Sequence, residues 1–312
     1  TRVFKQFFRS RHVAPLPAAD LYLTVGHTTL HDPTALEDLK AAGIERVVLL
    51  HDLIPVTHPE FCRPGDGDKH HARVSNTLRL ASRIIVNSAY TGDELRAFAE
   101  REGLPLPPVY VAHLGLEPAF VAGDAIEAPR PYFVHVGTIE ARKNLALLLT
   151  LWRRLEERMG DQTPSLVLVG RYGWENEAVL DHLQRSPNLQ GVVHQAANLS
   201  DAVLARLMRG ARALLAPSSV EGFDLPAVEA CAMGLSQIAT DIPPHRELTP
   251  NAELIDPLDG LGWLAAIERA TLVPPPTPPS YHAPSWSEHF CIVADAVGLR
   301  PVSPLASALK GL

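Results

Sequence analysis

Two carboxylates, Glu221 and Glu229, stand eight positions apart in the stretch SSVEGFDLPAVEACAMG (218–234), directly after the apolar run ALLAP. A strand ending in a short glycine-containing turn, with Pro226 where the first helical residue belongs, predicts a helix that continues through Glu229. Such a helix start aims unpaired backbone amides and the positive end of its dipole at whatever lies in front, which suits an anion. A diphosphate is the natural occupant, and carboxylates beside it would accept hydrogen bonds from hydroxyl groups. Glu221 at the lip of the turn and Glu229 one turn into the helix can both face one ligand. The plainer alternative is that Glu229 complements the helix start and Glu221 is solvated.

Other clusters point away from metal and cofactor chemistry. Asp66-Gly67-Asp68 has the spacing of a metal-holding D-x-D, but it lies in a Gly/Asp-rich stretch with no preceding strand and reads as a turn. His70-His71 has no further ligands at zinc spacing. Cys62, Cys231 and Cys291 form neither a CxxC pair nor an even-numbered framework, as expected in a reducing compartment. Neither G-x-G-x-x-G nor G-x-x-x-x-G-K-[ST] occurs. The expectation is that no metal and no resident cofactor take part.

The elements that must hold these residues alternate. Apolar runs at 21–25, 47–50, 84–87 and 109–112 read as strands covered on both faces, separated by helical patterns, which is the signature of parallel βαβ units. Thr91 and Glu94 form a T-x-x-E capping box for one of those helices. The stretch VAGDAIEAPRP (121–131) breaks the pattern, and a second series follows at 133–136, 166–169, 192–194, 213–215 and 238–240. The domains therefore read as 1–123, 124–273 and a tail at 274–312, in which PPPTPPS precludes regular structure and a last helix resumes at about 285–297.

With 312 residues, 46% hydrophobic and 20% charged, the chain suits two globular domains. The formal charge of −7 argues against a nucleic-acid groove. No apolar run is long enough to span a membrane and no secretory leader is evident, so cytoplasmic location is expected. Phe4, Phe7, Phe8 and Arg11 have the spacing of a helix with one buried face, with peripheral membrane contact as the alternative.

The stretch 218–234 resembles the E-x7-E signature of glycosyltransferase family 4, EGFGLPxxEAMACG, at Glu221, Gly222, Phe223, Leu225, Pro226, Glu229, Ala230 and Gly234. In order along the chain, PYFVHVGTIEARKNLALLL (131–149) is similar to the family's VGTLEPRKN segment, LVLVGRYGW (166–174) to its VGxxGW strand and ATDIPPHREL (239–248) to its ASDIPxxRE segment. HDLIPVTHPEF (51–61) resembles the HDLIPxxxPE of bacterial mannosyltransferase-like members. The resemblance implies a GT-B fold, an α/β architecture of two Rossmann-like domains facing across a cleft, and metal-independent, retaining transfer of a hexose from a nucleoside diphosphate to a hydroxyl of a glycan or lipid-linked acceptor. Mannose from GDP-mannose is the first expectation, on subgroup resemblance alone.

By the same resemblance Arg142 and Lys143 neutralise the diphosphate, Glu229 takes the ribose hydroxyls, Glu221 approaches the donor sugar, and Gly222, Phe223, Asp224 and Leu225 offer backbone amides to phosphate. Gly137 and Thr138 follow the first strand of that domain, and Arg171 is a weaker phosphate or base contact. A first-domain histidine near the reacting carbon is expected at His51, by motif, or His27, by position, with a core histidine as the alternative for each. Three departures stand out. Asp224 replaces a glycine beside the expected diphosphate, Thr138 stands where many relatives have arginine, and relatives carry a further βα region with a Gly-rich acceptor-side loop ahead of the strand read at 21–25. Two other readings follow: a nucleotide-sugar epimerase on the same plan, or an inactive sugar-nucleotide-binding scaffold.

Overall fold

The computed structural model describes residues 19–299 apart from 175, so the proposed helix around Phe4–Arg11 lies outside the described residues. Four parallel strands, β1 (Leu21–Thr24), β2 (Glu45–Leu50), β3 (Arg83–Val86) and β4 (Val109–Val111), form a first sheet in that spatial order. A second parallel sheet holds β5 (Tyr132–Val136), β6 (Ser165–Val169), β7 (Val193–Ala196), β8 (Leu214–Ala216), β9 (Gln237–Thr240) and β10 (Glu253–Ile255) in the order β10-β9-β8-β5-β6-β7. This is the doubly wound order, with its reversal between β5 and β8. The predicted strands of both sheets are present; β10 was not predicted, because its three residues ELI carry too little pattern.

Period-two geometry explains why the strand runs are apolar throughout. Val48 and Leu50 enter one core with Leu78, Leu95 and Phe98, while Val47 and Leu49 enter another with Ile85 and Ala112. The second face is closed by the chain's far end. Helix Trp286–Ala296 places Val293 against that layer, and the His289 Nδ1 lies 3.2 Å from the Ala112 carbonyl. Ser285 and Glu288 form a reciprocal capping box at its start.

Two local expectations are corrected. Helix Ala89–Glu102 begins before Thr91, with the Ser88 hydroxyl accepting from Thr91 N, so Thr91 and Glu94 lie inside it. Ser88, in extended conformation (φ −147°), takes the cap by accepting from Thr91 N, and Thr91 is then already helical and no longer has the extended backbone that a cap requires. Asp66-Gly67-Asp68 is the first turn of helix Asp66–Leu80, where acidic residues complement the dipole, and Gly65 at φ 84° supplies the sharp entry.

The domains touch where the site segments meet. Ser88 Oγ donates to Gly222 O at 2.7 Å, and a Cβ on Gly222 would lie 2.6 Å from His51 O, so only glycine permits this approach. Glu247, from the DIPPHREL segment, accepts from Ala89 N at 2.7 Å and Tyr90 N at 2.9 Å and pairs with His113 at 3.1 Å. A side chain of the second domain thus caps a helix of the first.

Burial opposes charge on Glu247, but His113 and the two amides outweigh it and hold its carboxyl below the ordinary 4.5. Its contribution is therefore present above that pH and lost as pH falls through the lowered folded value. Glu247→Ala should cost about 1–2 kcal/mol at pH 7, the scale of a lost helix cap. Urea unfolding at pH 7 and pH 3 should show the wild-type advantage shrinking at the lower pH.

Candidate active site

Two loops leave the carboxyl ends of β5 and β8 at the point where strand order reverses, the place where open α/β sheets bind ligands. The first passes Gly137 and Thr138, makes one 3-10 turn (Ala141–Lys143) and enters helix Leu145–Met159 through Asn144 at φ 50°. The second enters helix Leu225–Ala232 through Asp224 at φ 58°. Ser219 N donates to Arg142 O at 2.9 Å and Arg142 Nη1 to Val220 O at 3.0 Å, which locks the loops together. Gly137, at φ 154°, has no Cβ to crowd the Lys143 stem, which would lie 3.0 Å from it.

Within this frame the predicted cations meet the predicted carboxylate. Glu221 takes Arg142 on one oxygen at 2.5 Å and Lys143 on the other at 2.6 Å. Arg142 also holds Glu140 at 2.8 Å, and Lys143 holds Asp224 at 3.2 Å. Asp224 in turn takes His245 Nε2 at 2.9 Å. Burial works against the charge of both cations, but the carboxylates outweigh it and keep Arg142 and Lys143 ionised. Glu221 is therefore a buried, ion-paired group rather than a solvated one.

Glu229 sits one turn into its helix, as the spacing requires, and is 7% exposed. Burial, reinforced by Asp201 and Asp224, pushes its carboxyl up to about 8. Among the described residues no cation pairs with it, so it is a proton-bearing acid at neutral pH that gains from hydroxyl donors once ionised. His135, on β5, presents Nδ1 to Leu215 O at 2.9 Å, and burial and then Lys143 lower it to about 4, so it is neutral.

Several predicted residues serve through backbone or packing. Phe223 is buried with Leu116, Val228 and Leu248, so its ring belongs to the interdomain core and only its backbone faces the loop. Leu225 opens the helix and is partly exposed. Thr138 is exposed, and Arg171 is turned to Asn198 Oδ1 at 2.9 Å, outside the ion-paired set.

On the first-domain side His27, His51 and His70 gather, with ring centroids 5.1 and 5.4 Å apart from His27 outward. His27 Nε2 accepts from His51 N at 3.2 Å, and burial followed by its histidine neighbours lowers it to about 3. It is therefore neutral, with Nε2 as its acceptor, and acts as a brace for the HDLIP loop. His51 donates through Nε2 to Val25 O at 3.0 Å, leaving Nδ1 for another partner. His70 holds Asp52 O at 3.0 Å from the helix behind; the HH dipeptide alone gave no sign of this. His245, Glu140 and Glu247 were also not anticipated, although all three lie inside the segments that carry the family resemblance.

Residues 120–269 match the family described as glycosyl transferases group 1. Among curated proteins the chain is 31% identical over 231 residues to the serotype-specific mannosyltransferase WbdA of Escherichia coli, covering 69% of this chain and 28% of that protein. It is 32% identical over 176 residues to GDP-mannose:cellobiosyl-diphosphopolyprenol alpha-mannosyltransferase of Xanthomonas campestris, covering 56% and 44%. The chain thus spans less than a third of the first relative and under half of the second. Among solved structures, Anabaena Alr3699/HepE in complex with UDP-glucose superposes with a TM-score of 0.64 at 18% identity, over 94% of this chain and 79% of that one. Residues 120–269 are thus a group 1 glycosyltransferase domain, and the two parallel sheets have the GT-B architecture.

Proposed function

We propose that the chain transfers a hexose, mannose in the first instance, from a nucleoside diphosphate to a hydroxyl of a glycan or lipid-linked acceptor, with retention and without a metal ion. The observation that carries this reading is the meeting of Arg142, Lys143 and Glu221 at the switch point of the second sheet, where the adjoining Gly222 lies against the His51 carbonyl of the first domain. The names of the mannosyltransferase relatives favour mannose, and that of the Xanthomonas relative makes GDP-mannose the first donor to test.

In this reading Arg142 and Lys143 face the diphosphate, where charge grows as the bond from the sugar's anomeric carbon to phosphate oxygen breaks. The acceptor oxygen bonds to that carbon from the same face. Its proton passes to a phosphate oxygen of the departing nucleoside diphosphate, which leaves with the bonding electron pair. Glu229 accepts the ribose hydroxyls, Glu221 orients the cations toward the sugar side, and His51 orients the sugar or the acceptor from the first domain.

Three measurements test the proposal. GDP should bind with an affinity unchanged by EDTA; abolition by EDTA with rescue by Mn²⁺ would refute metal independence. Because ribose hydroxyls prefer the ionised Glu229, whose carboxyl lies at about 8, binding below that pH must release a proton. GDP affinity should then rise with pH between 6 and 8 in the wild type more than in Glu229→Gln, and Glu229→Ala should lose about 1.5–3 kcal/mol, the scale for hydrogen bonds to a charged group. Calorimetry in buffers of different ionisation enthalpy reads the released proton directly. Finally, His51→Ala should lower kcat by about 10²-fold at unchanged Tm and donor affinity, the low end for a positioned acid–base group. Normal turnover by the folded variant would remove His51 from the site.

A further inference from the structure

We infer that Asp224 and His245 form a buried carboxylate–imidazolium pair that positions Lys143 and restores the charge balance of the donor site, so that nucleoside diphosphate binding requires His245 in its protonated form. The second half of this inference rests on the donor-site reading; the pair itself rests on geometry alone.

His245 lies at the start of the short helix Pro243–Leu248 and is 0% exposed. Nδ1 is 2.8 Å from Thr240 O, a carbonyl that can only accept, so Nδ1 carries a hydrogen. Nε2 is 2.9 Å from Asp224 Oδ2, so a second hydrogen lies between ring and carboxyl. Which partner owns it is decided by the surroundings. The other carboxyl oxygen, Oδ1, faces the Lys143 ammonium at 3.2 Å, and Asp224 stands at the start of helix Leu225–Ala232; both favour the carboxylate. Glu221, from the loop after β8, adds a second negative charge nearby, while His135 on β5 is neutral and Arg246 is turned outward to Asp241. Burial opposes a charge on His245, but Asp224 outweighs it and raises the imidazole above its ordinary 6.5.

The arrangement accounts for the aspartate at a position where the family signature has glycine. The backbone there is left-handed, φ 58°, a conformation that glycine adopts freely and that aspartate tolerates better than most residues. Asp224 keeps the turn but adds a negative charge within reach of Lys143. With His245 protonated, Arg142, Lys143 and His245 balance Glu140, Glu221 and Asp224; without that proton the set carries one net negative charge where a diphosphate must bind. Lys143 uses two of its three N–H groups on Glu221 and Asp224, which fixes the direction of the third.

The test uses the full chain. Without nucleotide, ¹⁵N NMR should show both ring nitrogens of His245 predominantly protonated at pH 6.5, and Asp224→Asn, which leaves burial without its main opponent, should make the ring neutral there. A His245 that is neutral at pH 6.5 in the folded wild type would overturn the pair. In calorimetry with GDP, His245→Gln, which can still donate one hydrogen bond but has no charge, should bind about tenfold more weakly, the scale of one screened charge near an anion. Asp224→Gly combined with His245→Gln should recover affinity to within about threefold, because both charges are then gone. Equal or additive losses in the double variant would sink the positioning role, with Tm of each variant measured to exclude unfolding. If wild type binds neither GDP nor UDP, the donor-site reading falls and takes the functional half with it, while the NMR result still decides the pair.

Discussion

Three cations and three carboxylates share the space between the carboxyl ends of β5 and β8, and the loops around them are shaped to make that possible. Moving one such charge out of water costs several kcal/mol even after relaxation, so each must find a partner, and the geometry must be held while it does. Two left-handed residues, Asn144 and Asp224, turn the chain sharply from the charged loops into the helices that follow them. The backbone bond from Ser219 N to Arg142 O and the bond from the Arg142 guanidinium to Val220 O keep the loops in register. A buried ion network of this kind is poor evidence for stability; its value here lies in presenting fixed positive groups at the carboxyl end of the sheet.

The rest of the fold serves that end of the sheet. The doubly wound order of the second sheet brings the loops after strands distant in sequence to one crevice, and the first sheet is set against it through Gly222, Ser88 and Glu247. The chain crosses between domains more than once, because its last helix returns to cover the first sheet. The core of the first domain is thus completed by residues that follow the second. Among the described residues no helix is long and apolar enough to cross a membrane.

The two sides of the cleft differ in chemical character. The second-domain side is a charge-balanced set beside an acid, Glu229, that is uncharged at neutral pH. The first-domain side is a group of histidines in which His27 and His70 support the backbone of the loop that carries His51. That division suits a reaction in which charge develops on one reactant while the other must only be oriented, as in the proposed transfer.

Much of this was legible in the chain itself. Apolar runs alternating with helical patterns are local consequences of burial on both faces of a parallel strand, so all strands but the three-residue β10 could be read without contacts. The E-x7-E spacing placed Glu229 one turn into its helix, because helical rise is a local property. What the sequence could not decide was pairing. Glu221 and Glu229 look alike as carboxylates, yet one is ion-paired by Arg142 and Lys143, 79 and 78 positions earlier, and the other is left to burial and pushed up to about 8. Asp224 read as an unfavourable charge until folding set His245, 21 positions on, against it. Ser88 outcompeted Thr91 as a cap through backbone geometry that composition does not encode. Spacing along a chain determines which element a residue occupies, but charge state and partnership depend on burial and on distances between elements, and those exist only once the sheets have closed.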